Sequence, residues 1–564
     1  MTTANGRIWR LLVAVLALAM VAAACGGSGD SDSSDGAAAA DEGDATEIES
    51  NNEPVADEDN EIVIEAEEQP VEDEPTGAEE EEAAVIPPPS GELRIAGAAP
   101  LTSFNPAAVN SAQFGYLIPV YDTLTRQSAD LQVLPGLATS WTRPDANTWE
   151  FTVRDDVAFH DGTAFDAQVA VDNISYHSNY RGNPNAFAWV GLVEARVVDA
   201  TTFQVEFANP KPQFPLTMST IPGMMINPNF LDGSDLTRDP QGSGPWVHSA
   251  ADSQAGVTEV YTLNDNYWNP ADQGVERVSI TSFPDNTARI NALVTGEVEI
   301  SDFTQDAQVA TGVEAGMELV AVPNFLPYII ITDRNGELNP ALADERVRQA
   351  IALSVDRESY NDAIHAGRAD PSGGIYSSNF SQFHWPEFDD KFGYDPDRAR
   401  ELLAEAGYGD GLTIEMPIMP AIAPQVELIG QMLGASGITV EFVEINNGEL
   451  GPRLLSKQFG ISWLRALLDH PAGNLPAIAI TPWDTFKVGD LQVVTDLVAE
   501  ASVSDDPEEA RGLYAQATEV LLDSGTIIPL GHAAQNAMHA PNVDGVVMGL
   551  GMQTPYPHGV RITE

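Results

Sequence analysis

The sequence predicts a mixed α/β fold behind an exported leader. Apolar and polar residues alternate between Trp149 and Arg154, as in a half-buried strand, whereas apolar residues recur at helical spacing after about residue 340. No second linker-like stretch interrupts the chain from Gly91 to Glu564. These roughly 470 residues exceed one typical hydrophobic core, so we expect two or three subdomains within an α/β architecture.

The leader, residues 1–25, has the composition of a signal peptide. Arg7 and Arg10 precede an unbroken apolar run at residues 11–24, which is shorter than the ~20 residues that a bilayer core requires. Cys25 follows at once and is the only cysteine, which excludes a disulfide scaffold. Its position resembles a lipobox and predicts a lipid anchor on the outer face of the cell membrane. Ala22 stands where that motif usually has Leu, so the alternative is an ordinary signal peptide with an incidental cysteine.

Residues 26–90 predict an acidic, unstructured tether. The chain carries 85 Asp and Glu against 26 Lys and Arg, and 23 of the acids lie in residues 30–82, which contain no Lys or Arg. Such a segment buries too little apolar surface to offset its ordering entropy, and its charges repel one another. Calcium binding is the alternative, but the fixed spacing of a metal loop is missing. The acidic balance also disfavours nucleic acid as a partner.

The first half of the folded part is predicted to be rich in strands. One strand begins at residues 91–95, and another at residues 149–154 runs into a turn at Asp161-Gly162. A hairpin follows, with a polar turn at residues 199–202. The apolar side chains of its second strand share one face, namely Phe203, Val205 and Phe207.

Two helices are predicted in the second half. The first has Asp344 as its N-cap and an apolar stripe of Val347, Ala350, Ile351, Ser354 and Val355. The second begins at Asp395-Pro396 and ends at Gly407. Its apolar side consists of Ala399, Leu402, Leu403 and Ala406.

Motifs that would indicate chemistry are weak. His160-Asp161 fits a metal or acid–base pair, but a strand-ending turn explains it better. Gly242 to Gly244 is not a phosphate loop, because no lysine pattern follows. Nine scattered histidines show no metal-ligand spacing, and no nucleophile elbow or zinc motif is present in the sequence. We expect no cofactor, no metal and no enzymatic activity.

Eight blocks, in order, resemble the family 5 extracellular solute-binding proteins of bacterial ABC importers, which include oligopeptide-, dipeptide- and nickel-binding members. The resemblance extends from about Gly91 almost to the C-terminus. The blocks are residues 120–124 (VYDTL), 134–141 (LPGLATSW), 149–162 (WEFTVRDDVAFHDG), 242–246 (GSGPW), 266–268 (NYW), 293–300 (LVTGEVEI), 346–357 (RVRQAIALSVDR) and 394–407 (YDPDRARELLAEAG).

This resemblance implies a two-lobed periplasmic-binding-protein fold of type II, peptide-binding-protein-like, with an extra inserted subdomain. Lobe I would comprise residues 91–325 and 531–564, with the inserted subdomain at about 132–232, and lobe II residues 326–530. The lobes would close on a ligand about a hinge. The implied function is capture of short peptides and their delivery to an ABC permease and ATPase complex by a lipid-anchored monomer.

Peptide-binding members carry a W-x-x-D-Y-x-x-P segment whose Asp pairs with the peptide amine. Here residues 463–471 read WLRALLDHP, and Ala466 stands at the expected Asp. Trp463 fits the segment. Either Asp469 replaces the missing amine anchor from a shifted position, or Arg465 reverses the preference toward an anionic ligand. Alternatively, Asp469 has only a structural role, as an Asp that precedes a proline turn.

Aromatic residues provide further candidate ligand contacts, although each is also a candidate core residue. They are Phe104, Tyr116 and Tyr121 in lobe I, Tyr328 after the hinge, and His384 with Trp385 in a lobe II loop. Other functions stay open: the same fold binding an anionic or sugar-like solute or a nickel chelate, a ligand-sensing lipoprotein without transport, and, remotely, an extracellular hydrolase.

Overall fold

The computed structural model describes residues 87–128, 132–232, 236–303, 306–446, 448–480, 485–486, 488–549 and 555–563. The predicted signal peptide, Cys25 and the tether up to residue 86 lie outside the described residues. These predictions are therefore untested.

Strands occur throughout the described chain. In order they are β1 (Glu92–Gly97), β2 (Thr125–Gln127), β3 (Val133–Pro135), β4 (Ala138–Asp145), β5 (Thr148–Val153), β6 (Leu192–Val197), β7 (Thr202–Phe207), β8 (Trp246–His248), β9 (Thr258–Leu263), β10 (Arg277–Ser282), β11 (Ile300–Phe303), β12 (Glu318–Ile331), β13 (Leu412–Ile418), β14 (Ile438–Glu444), β15 (Ile461–Leu467), β16 (Ile527–Pro529), β17 (Ala533–His539), β18 (Val543–Asp544) and β19 (Arg561–Ile562).

Helices are concentrated in the second half. In order they are α1 (Phe114–Leu117), α2 (Ala167–Asn179), α3 (Phe214–Thr217), α4 (Asn286–Val294), α5 (Asp306–Glu314), α6 (Glu345–Leu353), α7 (Arg357–His365), α8 (Pro396–Glu405), α9 (Ala423–Ala435), α10 (Leu450–Leu455), α11 (Pro471–Ala479), α12 (Gln492–Val503) and α13 (Pro507–Asp523).

A nine-stranded mixed sheet organises the molecule, with the strand order β15-β12-β17-β11-β1-β10-β9-β8 and β16 paired to β12. β1 runs parallel to β10 and β11, and the other pairs of this sheet are antiparallel. A four-stranded sheet, β4-β5-β7-β6, is separate, as is the parallel pair β13-β14. The α/β class predicted from the sequence is confirmed.

Three large hydrophobic clusters fill the described chain. The first core takes its residues from 93–121, 221–300 and 543–560. The inserted core, from residues 124–225, lies on the four-stranded sheet and contains the stacked rings of Phe151 and Phe203 (centroids 5.3 Å apart). The second core takes all its buried members from residues 326–530. Each cluster buries its own apolar surface.

The local predictions for strands are confirmed. β1 begins one residue after Gly91, and β5 has alternating burial, with Phe151 and Val153 inside. In the hairpin β6-β7, Phe203, Val205 and Phe207 are all buried. At the predicted turn, the Asp161 carboxylate accepts a hydrogen bond from the amide of Thr163 (2.8 Å), and Gly162 has φ 88°, which favours glycine.

Both predicted helices are present with the expected caps. The Asp344 side chain caps α6 by accepting from the Arg346 amide (2.9 Å), and that of Asp395 caps α8 by accepting from the Arg398 amide (2.8 Å). α6 ends at Leu353, so the last two residues of its predicted stripe lie beyond the helix, although both are buried. Gly407, with φ 90°, follows α8 as predicted.

Three of the eight motif blocks converge on one buried carboxylate, Asp122. Its oxygens accept hydrogen bonds from the Tyr267 hydroxyl (2.8 Å), the Ser243 hydroxyl (3.0 Å) and the Trp268 indole (3.2 Å), and Arg126 forms an ion pair at 3.1 Å. Three blocks that are distant in sequence (120–124, 242–246 and 266–268) thus supply one network. These motifs mark packing, because none of the named groups is left for a ligand.

Candidate functional site

Strand β12 crosses into the second core, and β17 connects it to β11, which contributes Ile300 to the first core. The fourteen-residue β12 pairs at its start with β17, which in turn pairs with β11. At its end, within the second core, β12 pairs with β15 and β16. The register of the β12–β17 pair shifts between Val322 and Phe325, which marks a β-bulge at the point of crossing.

Side chains from several strands share one face of the sheet at this crossing. Asp302 is in register with Ala537, and Phe325 is in register with Ala533. Residues in register project to the same face, as do residues two apart along a strand. Asp302, Gln535 and Phe325 therefore lie on one face.

Arg465 belongs to the same face, because β15 places Leu467 opposite Phe325 and Arg465 lies two residues away. Its guanidinium lies over the Phe325 ring, 4.4 Å from the centroid, a cation–π contact. The Asn324 side chain joins this surface by donating to the Gln535 side-chain oxygen (3.2 Å). We call this surface the crossing face (Asp302, Asn324, Phe325, Arg465 and Gln535).

The first-core end of the crossing face is a buried carboxylate. Asp302 is the third of the four residues of β11 and lies near the carboxyl ends of the parallel strands β11, β1 and β10, the edge at which α/β sheets bind ligands. Its Oδ1 has no hydrogen-bond partner in the described structure, and the Arg289 guanidinium lies 3.8 Å away. Burial raises the pKa of Asp302 to about 6, partly offset by the charge of Arg289.

The middle of the crossing face is formed by carboxamides. Asn324 is fully buried, and its Oδ1 lacks a hydrogen-bond partner among the described residues. Its backbone oxygen accepts from the Leu468 amide (2.8 Å), which ties the end of β15 to β12. Unsatisfied acceptors in such a buried position are unusual in folded proteins and require an explanation.

The second-core end carries an aromatic group around Asp469, the Asp469 cluster (Tyr376, Phe383, Trp385, Asp469, His470 and Tyr514). The rings of Phe383 and His470 are 4.8 Å apart, and those of His470 and Tyr514 are 5.5 Å apart. Tyr376 and Trp385 are 5.9 Å apart. Asp469 precedes His470 in the chain, and its charge adds to burial in raising the pKa of Tyr376, so the carboxylate lies near these rings.

Asp469 itself accepts a hydrogen bond from the backbone amide of His470 (2.6 Å). Burial raises the pKa of the Asp469 carboxyl. In the described part of the chain it forms no ion pair with a basic side chain. Burial, with the charge of Arg143, lowers the pKa of His470 to about 3, so His470 is neutral at ordinary pH and does not supply the missing cation.

The inserted core touches the second core beside the Asp469 cluster. The Gln132 side chain donates to the Ser381 hydroxyl (2.9 Å) and accepts from the Gln382 side chain (2.6 Å). Arg143 donates to the carbonyl of Ser502. These contacts join segments that are far apart in sequence.

The sequence-predicted candidates fall in different surroundings. Phe104 and Tyr121 are fully buried in the first core, where Phe104 lies against His248 (4.5 Å) and the Tyr121 hydroxyl accepts from the Gln241 amide (3.3 Å). Tyr116 donates to the Ala99 carbonyl (2.9 Å), and burial, together with the charge of Asp302, raises the pKa of its hydroxyl. Their buried positions favour a packing role for Phe104 and Tyr121, whereas Tyr116 lies near the crossing face.

The second-lobe candidates separate by face. Trp463 shares the face of Arg465 and donates from its indole to the Tyr360 hydroxyl (3.2 Å), whereas Tyr328 donates to the Ile478 carbonyl (3.4 Å) on the other face. Trp385 belongs to the Asp469 cluster, and the His384 ring lies 3.0 Å from the Asp389 carboxylate. The nine ligand contacts predicted from the sequence, including Arg465 and Asp469, are not tested by the structure and stay predictions.

Asp302, Asn324 and Gln535 were missed from the sequence. A local signal exists for one of them, because Asn324 interrupts the otherwise apolar run of β12. Their proximity depends on strand pairing, which no local pattern reveals. Among the described residues, no group of three or more His, Cys, Asp or Glu side chains is arranged to hold a metal ion.

Comparison with known proteins gives the family. The family model for bacterial extracellular solute-binding proteins, family 5 (middle), matches residues 132–478, more than half of the chain. The glutathione-binding protein GsiB of Salmonella paratyphi A is 26% identical over 452 residues, which cover 75% of this chain and 85% of that protein. The nickel-binding periplasmic protein of Escherichia coli is 23% identical over 481 residues, covering 76% and 86%.

Solved structures agree with this assignment at the level of the fold. HbpA2 from Haemophilus parasuis superposes with a TM-score of 0.74 at 22% identity, covering 84% of this chain and all of that one. The two-lobed type II periplasmic-binding fold predicted from the motif blocks is therefore confirmed. Over the described residues, no helix combines the length and apolarity needed to cross a membrane. The chain belongs to family 5 of the bacterial extracellular solute-binding proteins, which bind substrates for ABC importers.

Proposed function

We propose that this protein captures short peptides by hinge closure and delivers them unchanged to an ABC permease and ATPase complex. The lobes are residues 91–325 with 531–564, including an inserted subdomain at about 132–232, and residues 326–530. The protein acts as a monomer and as a binding protein, not an enzyme. Lipid on Cys25 anchors it to the outer face of the cell membrane, with residues 26–90 as tether.

The observation that carries this proposal is that β12 enters the second core while its start is paired, through β17, with β11 of the first core. Strands shared by two cores allow rotation of one core against the other while both stay packed. The contacts of Gln132 with Ser381 and Gln382, and of Arg143 with Ser502, join the proposed inserted subdomain to the proposed lobe II. The Gln132 contacts are exposed, and exposed hydrogen bonds contribute little, so they permit opening.

The preference for peptides rests on Asp469. A carboxylate among aromatic rings, without an ion-pair partner in the described structure, suits the terminal ammonium of a peptide. Ala466 does not compete for this role, because it is paired with Leu326 and shares the face of Tyr328, away from Arg465. GsiB is named for binding glutathione, itself a short peptide.

Thermal unfolding of the full chain, purified in detergent and freed of bound solute, tests the proposal. A peptide at a hundred times its Kd should add about 2.7 kcal/mol to the free energy of unfolding. A broad library of short peptides is compared with sugars and with anionic solutes. If only sugars or anions raise the Tm, the peptide assignment is wrong, while the family remains.

Asp469→Asn sharpens the test. The change removes the charge that holds the ammonium and should weaken peptide binding by about 10- to 100-fold, as measured by calorimetry. Asp410→Asn, at an exposed position, is the matched control and should leave Kd unchanged. Equal affinity of Asp469→Asn and the unaltered protein would show that Asp469 is not the amine anchor.

An anionic solute is the second candidate, and Arg465 favours it. Its guanidinium lies on the crossing face, held over Phe325, and a guanidinium binds carboxylates or an anionic metal chelate in a bidentate manner. Arg465→Gln should then abolish binding of the anion, whereas a peptide bound through its amine should tolerate the change better. The same calorimetric series distinguishes the two ligand classes.

A further inference from the structure

We propose that two contacts between the inserted subdomain and lobe II form and break together, and that they hold the protein closed and set its affinity for solute. We call them the interlobe latch (Gln132 with Ser381 and Gln382, and Arg143 with Ser502). This inference rests on the proposed function, because such a latch acts only if the two lobes open and close.

The Arg143 contact is a helix cap that comes from another subdomain. The last four carbonyls of a helix have no partner within it, and positive charge is favoured beside them. The last turn of α12 contains no basic residue. Arg143, on β4, donates to the carbonyl of Ser502 in that turn, across 359 positions of sequence. The inserted subdomain thus supplies the cation that the end of α12 lacks.

Arg143 is also held in position on its own side of the contact. Its guanidinium donates to the Ala146 carbonyl (3.2 Å) at the end of its own strand and lies over the Trp149 ring, 5.8 Å from the centroid. The side chain is half-buried, and burial lowers its pKa. A hydrogen bond from a partly desolvated guanidinium is stronger than one in open water. Arg143 is therefore the stronger half of the latch.

The Gln132 contact reaches lobe II at a neighbouring position. Gln132 donates to the Ser381 hydroxyl (2.9 Å) and accepts from the Gln382 side chain (2.6 Å). The Gln382 segment is fixed to α13, because Arg511 donates to the Gln382 carbonyl (2.9 Å). Helices α12 and α13 pack against each other. Both contacts therefore meet one packed unit of lobe II, so we expect the loss of one contact to loosen the other.

The latch lies next to the Asp469 cluster. The Ser502 hydroxyl is 3.3 Å from the Tyr514 hydroxyl, and the Tyr514 ring contacts that of His470. Burial, followed by the charge of Arg143, lowers the pKa of His470, which agrees with this proximity. Opening of the latch and access of a solute to the Asp469 cluster should therefore be coupled.

The rest of this interface is small enough to open. Leu216 of α3 is only partly buried where it packs against the second core. The Gln213 side-chain nitrogen is 3.6 Å from the position that a Cβ at Gly473 would take, so it lies close to α11. Contact areas between domains of one chain allow relative motion unless they are large and hydrophobic. A single substitution can then shift the balance between open and closed states.

The expected size of that shift follows from the strength of a helix-end contact. A cation at a helix C-terminus typically changes an equilibrium constant by about two- to fivefold. If the closed state is the one that holds solute tightly, the apparent affinity falls in proportion to the closed population. Loss of Arg143 should therefore weaken solute binding by about two- to fivefold, and loss of the exposed Gln132 contact by less.

Hydrogen exchange of the full chain, in detergent and freed of solute, tests whether the two contacts act together. Each variant is measured at the contact that it does not touch. Arg143→Gln should speed exchange about two- to fivefold in residues 380–384, and Gln132→Ala should speed it in residues 502–506. Faster exchange at residues 143–148 in Arg143→Gln is expected in any case, because the bond to Ala146 is lost.

Two matched controls lie in the inserted subdomain. Arg196→Gln removes the same charge from an arginine whose guanidinium donates to Gln204 on the neighbouring strand, and Gln168→Ala removes an exposed side chain that donates to Asp172 (2.9 Å). Both should leave exchange at residues 380–384 and 502–506 unchanged. Changes confined to the substituted contact in Arg143→Gln and Gln132→Ala would overturn the latch, and so would equal changes in the controls.

The effect on affinity is measured by calorimetry with the best-binding peptide from the library of short peptides. Arg143→Gln should raise its Kd about two- to fivefold, and Arg196→Gln should not. An unchanged Kd in Arg143→Gln overturns the link between latch and affinity. A protein that binds none of the peptides contradicts the proposed function instead, while the exchange experiment still decides whether the two contacts open together.

Discussion

Asp122 and Asp302 are both buried aspartates that precede β12 in the chain, yet their surroundings differ. Asp122 receives three hydrogen bonds and an ion pair with Arg126. Asp302 has an oxygen without a hydrogen-bond partner in the described structure and a guanidinium at 3.8 Å. Burial raises the pKa of both carboxyl groups. Asp122 is thus neutralised by a complete set of donors, and Asp302 by one buried guanidinium at a distance longer than a hydrogen bond.

The largest effect is expected at Asp122. Asp122→Ala leaves the buried Arg126 guanidinium with one counter-charge fewer and removes the acceptor for Ser243, Tyr267 and Trp268. The free energy of unfolding should fall by about 3–5 kcal/mol, measured by urea denaturation. A loss below about 1 kcal/mol would mean that the network is not what distinguishes Asp122.

A smaller effect of opposite sign is expected at Asp302. Its pKa is raised from 3.8 to about 6, so above pH 6 the folded protein keeps a charged carboxylate that burial disfavours. Asp302→Asn removes this cost, while the Arg289 guanidinium keeps its hydrogen bonds to the Phe283 carbonyl and the Asn286 side chain, so the free energy of unfolding should rise by about 1–3 kcal/mol at pH 7.5. As the pH falls from 6 toward 4, the folded carboxyl becomes protonated and the gain should vanish.

Urea denaturation between pH 4 and 7.5 measures this dependence, with Glu297→Gln as the control for net charge. A destabilised Asp302→Asn at pH 7.5 would place Asp302 with Asp122 as a structural residue. The two aspartates are then distinguished by whether their substitution raises or lowers the free energy of unfolding, and not only by the size of the change.

The smallest effect is expected at Asp156, whose side chain is 56% exposed and pairs with Arg154 at 2.8 Å. Exposed ion pairs contribute about 0–1 kcal/mol, so Asp156→Asn should change stability by less than that. Arg154 also lies over the Trp268 ring at 4.1 Å, which connects this pair to the Asp122 network. Thermal unfolding measures the change, and a loss similar to that of Asp122→Ala would show that the network extends to the surface.

Sequence reasoning succeeded where structure is local. The alternation in β5, the hairpin β6-β7 and the caps at Asp344 and Asp395 follow from neighbouring residues, and they were predicted correctly. The sequence also showed that Ala466 stands where peptide-binding members have an Asp. It did not show on which face of β15 Ala466 lies, because that face is set by its pairing with Leu326.

The crossing face could not be predicted from neighbouring residues in the sequence. Asp302, Asn324 and Gln535 come together only through the order of β11, β17 and β12, which are separated by long stretches of chain. Periodicity identifies strands but does not say which strands pair. For the same reason the convergence of three motif blocks on Asp122 could be seen only in the structure.

The position of β17 also has a consequence for how the chain matures. β17 is formed by Ala533–His539, near the C-terminus, and lies between β11 and β12 in the sheet. Until these residues have been synthesised, the large sheet lacks the strand that joins its two halves, and such long-range pairing is slow to form. The nascent polypeptide thus remains without its complete sheet almost until translation ends.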